Sequence, residues 1–355
     1  MTSGVFIIAE AGSNWRMGTP DRDLAMAREL VDAAAAAGAD AVKFQTYRSK
    51  SVYVPDAGPS DYLSAVGIQR SINEIFDDLE MPYALIGPVA EYASTKGIEF
   101  MSTPFSIPDA EAVDPFVRRH KVASYEVNHL RLVEHLARTG KPLIMSTGAA
   151  TDEDIAFGLG RARAAGATDI TLMQCTARYP APPEALALGA IPYLRRRYGV
   201  PVGLSDHSLD PIVGPVAAVA LGAAAVEKHF TIDRRLPGPD HPFALEPDEL
   251  ASMVRAIRAA TAMRSPEEKV VQPAEEELRR FAVRSIQASR DLAPGDELVE
   301  GATIDVLRPG QRSRGLHPRF LDALRGRRAA RPVAAGDGIG PDDVDPPLEG
   351  VARDG

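Results

Sequence analysis

Two short apolar runs end in histidine, Pro201-Val-Gly-Leu-Ser205-Asp206-His207 and Ala224-Ala-Val-Glu227-Lys228-His229, with one helix length of chain between them. As parallel strands they place two imidazoles on one rim. Imidazole is the commonest protein ligand for divalent transition metals, and neighbouring strand ends hold it rigidly enough for two rings to share one ion. The alternative is that each histidine caps a buried strand. Polar residues recur at the ends of other apolar runs: Glu10, Lys43 with Gln45, Ser102 with Thr103, Ser124 with Glu126, Ser146 with Thr147, and Gln174 with Thr176. A single hydroxyl there is also a helix cap. The charged members Glu10, Lys43, Lys121, Glu126 and Glu227 ask for pairing or function, because an uncompensated charge in an apolar strand costs on the order of several kcal/mol. Lysines with hydroxyls suit a phosphate and a carboxylate together, and a two-histidine metal leaves positions open for substrate oxygen or water. Such a site suits the addition of a small phosphorylated acid to a carbonyl.

The elements that carry these residues alternate strand and helix. Strands are expected to begin near Val5, Ala41, Glu99, Lys121, Pro142, Asp169, Pro201 and Ala224, and helical spacing runs over Asp21 to Ala37 and Glu249 to Met263. Thr151 before Asp-Glu-Asp154 reads as a helix cap. Eight strand-helix units in the first two-thirds of the chain predict an α/β fold, a closed (β/α)8 TIM barrel, whose functional groups gather at the C-terminal strand ends. An open doubly wound sheet competes, but no Gly-x-Gly-x-x-Gly turn follows the first strand.

The catalytic barrel is expected over 1–263, a Pro-punctuated linker over 264–280, a small β-rich domain over 281–349 and a tail over 350–355. Within the small domain, Arg290-Asp-Leu-Ala-Pro-Gly-Asp-Glu-Leu298 is echoed by Arg331-Pro-Val-Ala-Ala-Gly-Asp-Gly-Ile339. This internal repeat predicts a turn-rich unit with approximate twofold symmetry. Between the copies runs an arginine-dense segment from Arg308 through Arg312, Arg314 and Arg319 to Arg328, either a solvated basic face or a source of contacts to an anionic or hydroxylated ligand. The net charge of −9 argues against nucleic acid as a partner. One cysteine, Cys175, allows no internal disulfide and points to a reducing compartment. No secretory signal or membrane span is read, so a cytoplasmic location is expected.

The runs Ile7-Ile-Ala-Glu10-Ala-Gly-Ser-Asn14, Gly38-Ala-Asp-Ala-Val-Lys43-Phe-Gln45, Ser102-Thr-Pro-Phe105, Met145-Ser-Thr-Gly148, Gln174-Cys-Thr-Ala-Arg-Tyr179-Pro, Gly203-Leu-Ser-Asp-His207, Glu227-Lys-His-Phe-Thr231 and Pro237-Gly-Pro-Asp240-His241 closely resemble the sialic acid (N-acetylneuraminate) synthase family. Arg308-Pro-Gly310 extends the likeness to that family's antifreeze-like, or SAF, domain. The resemblance implies a metal-dependent condensation of phosphoenolpyruvate with an open-chain sugar aldehyde, giving a 2-keto-3-deoxy acid and phosphate. By matching motifs, Lys43, Thr103, Lys121, Ser124, Ser146 and Ser205 would hold phosphoenolpyruvate. His207 and His229 would carry Mn²⁺, with Mg²⁺ or Co²⁺ as alternatives. Glu10, Gln45, Tyr179, Asp240 and Arg308 would serve the sugar, and Glu126 is the candidate for proton handling. A domain-swapped homodimer is expected from the same likeness.

Departures from the family pattern cluster where the sugar is expected. The usual Asn-His-Asn-Gly is here Asn14-Trp15-Arg16-Met17-Gly18, Ser-Gly-Glu becomes Ser124-Tyr125-Glu126, and Ala177 stands for Asn or Ser. The segment from Tyr47 to Met81, with Tyr53 and Asn73, does not align. These changes predict an acceptor other than N-acetylmannosamine, such as a bacillosamine-type or other modified hexose. A metal-dependent barrel hydrolase would want further ligands at the first strand end, where Ala9-Glu10-Ala11 has no histidine pair. A non-catalytic sugar-binding relative would be expected to lose Lys43, Lys121, His207 or His229, and all four are present.

Overall fold

Short apolar runs become eight parallel strands: β1 Phe6–Gly12, β2 Ala41–Thr46, β3 Glu99–Pro104, β4 His120–Val122, β5 Leu143–Ser146, β6 Ile170–Cys175, β7 Val202–Asp206 and β8 Ala225–His229. Each begins within one residue of its expected start. The strands run in the order β3-β2-β1-β8-β7-β6-β5-β4, and contacts between β3 and β4 close the ring. This is the closed barrel, not the open sheet. The computed structural model describes residues 4–60, 69–264 and 268–348 and divides into the units Met1–Ser265 and Pro266–Gly355.

Period-two alternation decides what each strand shows to the barrel interior. Ile8, Ala41, Met101, Ile144, Met173 and Ala225 meet in one inner cluster. Two residues further along the same strands stand Glu10, Lys43, Thr103, Ser146, Cys175 and Glu227, so the interior turns from apolar to polar within one repeat. The intervening residues, among them Ile7, Ala9, Val42, Phe44, Leu172 and Leu204, pack outward under the helices. Lys228 and Asp206 also face outward, as a buried pair 2.8 Å apart. In the dipeptides Asp206-His207 and Lys228-His229, one side chain holds two strands together and the other is left for the mouth.

Gly203 sits beside Met173 in the inner layer, where an added Cβ would meet the Ala225 carbonyl oxygen and Met173 Sδ, both at 2.5 Å. Since the first of these is strand backbone, G203A is expected to destabilise the barrel by about 1–3 kcal/mol. Urea denaturation reads this directly; an unchanged midpoint would mean that the strands spread freely.

Helices cover the outside, including Pro20–Ala37 and Pro247–Arg264. Thr151 caps Asp152–Ala164 in a reciprocal capping box with Asp154. Among the described residues no helix is long and apolar enough to cross a membrane.

In the second unit, β9 Ser285–Ala288 pairs antiparallel with β10 Ile304–Leu307, and β11 Arg328–Ala329 with β12 Val344–Asp345. The repeat copies face each other: Leu292 N donates to Val333 O at 2.8 Å, and Val333 N to Leu292 O at 3.1 Å. Their equivalent glycines, Gly295 and Gly336, both adopt left-handed φ, 93° and 85°. Residues 265–267 of the expected linker, residue 349 and the 350–355 tail lie outside the described residues.

Candidate active site

A cavity of about 660 Å³ opens at the C-terminal ends of the barrel strands. Its floor is an alternating set of charges. Lys43 Nζ lies 2.7 Å from Glu10 Oε2 and 3.6 Å from Glu227 Oε1, while Lys121 Nζ lies 3.5 Å from that same Glu227 oxygen. Lys43 also donates to Thr103 Oγ1 at 2.9 Å, Lys121 to Ser146 Oγ at 2.7 Å, and Ser205 Oγ to Glu227 at 3.4 Å. Five strands thus deliver lysines and hydroxyls to one spot through a shared carboxylate. Ser124 lies in the short helical turn after β4 and accepts from Gly148 N at 3.0 Å.

Burial and pairing tune these groups in opposite directions. Burial pulls the Lys43 ammonium down, but Glu10 and Glu227 outweigh it and hold its pKa above the ordinary value. Burial also acts on Lys121, and there Glu227 does not compensate, so its pKa is lowered. Burial and the charge of Glu227 push Glu10 up against the pull of Lys43, whereas the two lysines overcome burial and hold Glu227 well below the usual carboxylate range. Burial raises Glu126 to about 7 against the pull of Lys121, and its Oε2 has no hydrogen-bond partner among the described residues.

His207 and His229 stand over this floor with ring centroids 5.6 Å apart. His207 Nδ1 donates to the Thr176 carbonyl at 2.8 Å, which leaves the Nε2 lone pair for a ligand. His229 is buried, burial lowers its pKa, and its Nδ1 is unpartnered among the described residues. Both rings line the cavity and are the imidazoles available there to a divalent ion. No group of three or more histidine, cysteine, aspartate or glutamate side chains with metal-holding geometry occurs among the described residues. Other positions would therefore belong to water or substrate oxygen.

Glu10, Gln45, Tyr179 and Asp240, expected to serve the sugar, line the cavity. Gln45 Nε2 donates to Glu10 Oε1 at 2.9 Å, Ser13 Oγ donates to Asp240 Oδ2 at 3.1 Å, and Tyr179 stacks on His207 with centroids 4.1 Å apart. Arg308 belongs to the second unit and is exposed just after β10. Trp15 and Arg16, expected near the sugar, do not line the cavity. Trp15 is 1% exposed inside the barrel-helix core, because a large indole gains most by leaving water. Arg16 instead pairs with Asp23 at 2.8 Å and Asp78 at 3.3 Å. Asn73 is structural, linking Ala57 N and Val54 O, while Tyr125 does line the cavity.

Three features carried too little signal in the sequence. Glu227 had no assigned role, although its place two residues before His229 puts both on one strand face. Cys175 Sγ lies 3.9 Å from His207 Nδ1. The segment that resisted alignment supplies an apolar wall of Val52, Tyr53, Ile72, Ile75, Phe76 and Leu79.

A parallel barrel whose mouth converges two lysines, several hydroxyls and two histidines defines a (β/α)8 enzyme of small anionic substrates. The model of the NeuB family matches residues 30–269 and that of the SAF domain residues 283–345. The chain belongs to the NeuB family, with a C-terminal SAF domain. It is 42% identical over 356 residues to the spore coat polysaccharide biosynthesis protein SpsE of Bacillus subtilis, covering 96% of this chain and 93% of that protein. The SpsE crystal structure matches with a TM-score of 0.64 at 40% identity, over 96% of this chain and 95% of that one. Pseudaminic acid synthase of Campylobacter jejuni is 35% identical over 345 residues, covering 94% and 95% of the two chains. N,N'-diacetyllegionaminic acid synthase of Legionella pneumophila is 34% identical over 340 residues, covering 93% and 92%.

Proposed function

We propose that this enzyme condenses phosphoenolpyruvate with the open-chain aldehyde of a modified hexose, giving a nonulosonic acid and inorganic phosphate by C–O cleavage. The observation that carries this reading is the approach of Lys43 and Lys121 to within 3.6 Å of one Glu227 oxygen, beneath the imidazole pair. The relatives named as pseudaminic and legionaminic acid synthases support the product class. The apolar wall supports an acceptor with deoxy or acyl methyl groups in place of hydroxyls, other than N-acetylmannosamine.

In this mechanism Lys121, Ser146, Ser124 and Ser205 hold the phosphoryl group, and Lys43 with Thr103 holds the carboxylate end. His207 and His229 would hold a divalent ion, Mn²⁺ with Mg²⁺ or Co²⁺ as alternatives, which when bound polarises the aldehyde oxygen and orients water. Glu10, Gln45, Tyr179 and Asp240 position the aldehyde so that C3 of phosphoenolpyruvate forms the new C–C bond to the carbonyl carbon. Water then adds to the cation-like C2, and the proton it gives up goes to the alkoxide left on the former aldehyde oxygen. As the resulting hemiketal phosphate collapses, Glu126 gives its proton to the departing phosphoryl oxygen and takes one back from the C2 hydroxyl.

E126Q tests that assignment twice. Turnover is expected to fall by about 10²-fold, with loss of the alkaline limb that follows Glu126 deprotonation near pH 7. The raised pKa also means the folded chain binds this proton more tightly than the unfolded one. Below the ordinary carboxylate pKa both states are protonated and the group is neutral in its effect; as pH rises from there the unfolded chain releases the proton first, and the group becomes destabilising, fully so above about 7. E126Q should therefore melt higher than wild type at pH 8 and level with it at pH 4. A melting difference that ran the other way would remove Glu126 from this role.

The function itself is tested by measuring phosphate release and phosphoenolpyruvate consumption across a panel of aldoses, with ¹⁸O in the bridging oxygen of phosphoenolpyruvate. Label is expected in the released phosphate, with a diamino-trideoxyhexose derivative turned over faster than N-acetylmannosamine. No consumption with any aldose would overturn the reaction, and N-acetylmannosamine as best substrate would overturn the acceptor. The working form is proposed to be a cytoplasmic homodimer, which light scattering reads for its oligomeric part.

A further inference from the structure

The floor of the cavity presents less free positive charge than its two lysines suggest. Lys43 already faces Glu10 at 2.7 Å, and both ammoniums share Glu227. A substrate with a carboxylate and a phosphate monoester, the latter carrying about −1.5 to −2 by itself, brings more negative charge than that balanced floor neutralises. The divalent ion proposed at the imidazole pair would serve the aldehyde oxygen, so the phosphoryl end calls for a further cation of its own to meet it.

Arg178 is placed to do so. Among the described residues lining the cavity it is the single guanidinium; it is exposed, and it has no ion-pair or side-chain hydrogen-bond partner among the described residues. Other arginines of the same unit are engaged elsewhere, Arg16 with Asp23 and Asp78, Arg48 with Glu80, and Arg234 with Glu249. The backbone under Arg178 is fixed by the site itself. The Thr176 carbonyl accepts from both Arg178 N and His207 Nδ1, each at 2.8 Å, so residue 178 is anchored to the oxygen that orients the imidazole. On its other flank, Ala177 packs into the corner of Ser124 and Gly148: a Cβ built on Gly148 would lie 2.9 Å from Ser124 Oγ and 3.3 Å from Ala177 Cβ. Position 178 therefore stands between the imidazole pair and the hydroxyl corner that faces the phosphoryl group.

We propose that Arg178 closes on the phosphoryl group of phosphoenolpyruvate from the rim, its guanidinium fork opposing the lysines of the floor. This rests on the reading of the substrate given above. A planar fork offers two parallel N–H donors to phosphate oxygens, and its charge does not titrate away.

The test compares wild type, R178A and R178K in steady-state kinetics and in calorimetric binding of inorganic phosphate. R178A is expected to raise the KM for phosphoenolpyruvate and the dissociation constant for phosphate by about 10- to 100-fold, with kcat and the aldose KM within about threefold of wild type. R178K is expected to recover part of the loss, since an ammonium supplies charge without the fork. Unchanged phosphoenolpyruvate KM and phosphate affinity in R178A would overturn the proposal, and so would a rise confined to the aldose KM, which would put the guanidinium on the acceptor. Failure of wild type to consume phosphoenolpyruvate would sink the proposed reaction instead, and the phosphate titration would still decide for or against Arg178.

Discussion

K121M is expected to lose about 10³-fold or more in kcat/KM while losing less thermal stability than K43M. Lys121 is the buried cation nearest the Ser146 hydroxyl, and in a water-excluded mouth such a charge-assisted contact to a phosphoryl group is worth about 4 kcal/mol, which converts to that factor. The stability half follows from its lowered pKa. Where the folded-state pKa of a lysine is depressed, the fold disfavours its charge relative to water; removing that charge relieves the cost at neutral pH and partly offsets the weaker hold on Glu227, which keeps Lys43 as a partner. Lys43 has the opposite sign: its raised pKa contributes stability that is fully present below the ordinary lysine pKa and is lost only as pH rises through the folded value. K43M should therefore melt below wild type at pH 7, and K121M should melt above K43M. Calorimetric melting beside phosphate-release kinetics separates the two roles. If K121M melted far below wild type, its lost activity would be read as lost structure and the binding role would fail.

Removal of the divalent ion proposed at His207 and His229 is expected to have a comparable effect. Wild type treated with a chelator should lose about 10³-fold or more of its turnover, and added Mn²⁺ should restore it, because the remaining residues offer no other Lewis acid for the aldehyde oxygen. H207A and H229A should not be restored by the same Mn²⁺. Electron paramagnetic resonance of free Mn²⁺ gives a readout that does not depend on turnover: one ion per chain should disappear from the free signal with wild type, and far less with either variant. Full activity in chelator would remove the metal from the mechanism, and tight Mn²⁺ binding by both variants would move the site elsewhere.

The eight strands were legible because a strand writes itself locally, through β-branched and other apolar residues bounded by turns. The same local rule fixed which side chains share a face: Ser205 with His207, Glu227 with His229, Lys43 with Gln45. Trp15 misled for a physical reason. A lone tryptophan amid polar residues resembles a site aromatic, but its burial is decided by which helices stand behind β1, and the first four residues after that strand do not reveal this. The Tyr47 to Met81 segment was illegible because its helices among the described residues, Ser49–Val52 and Ile72–Asp78, are short, and a few residues cannot establish a period; residues 61–68 lie outside the described residues.

Sequence alone determined the strand order of the chemistry, the inward face of each strand and the family to which the motifs are similar. The tertiary structure alone decided how those inward groups pair: that Glu227 lies between two lysines from different strands, that Glu126 is pushed to about 7, and that Thr176 sets the tautomer of His207. Periodicity is a property of neighbours along the chain. Coulomb energy and desolvation depend on distances across the barrel, and these exist only once β8 has met β1 and the ring has closed.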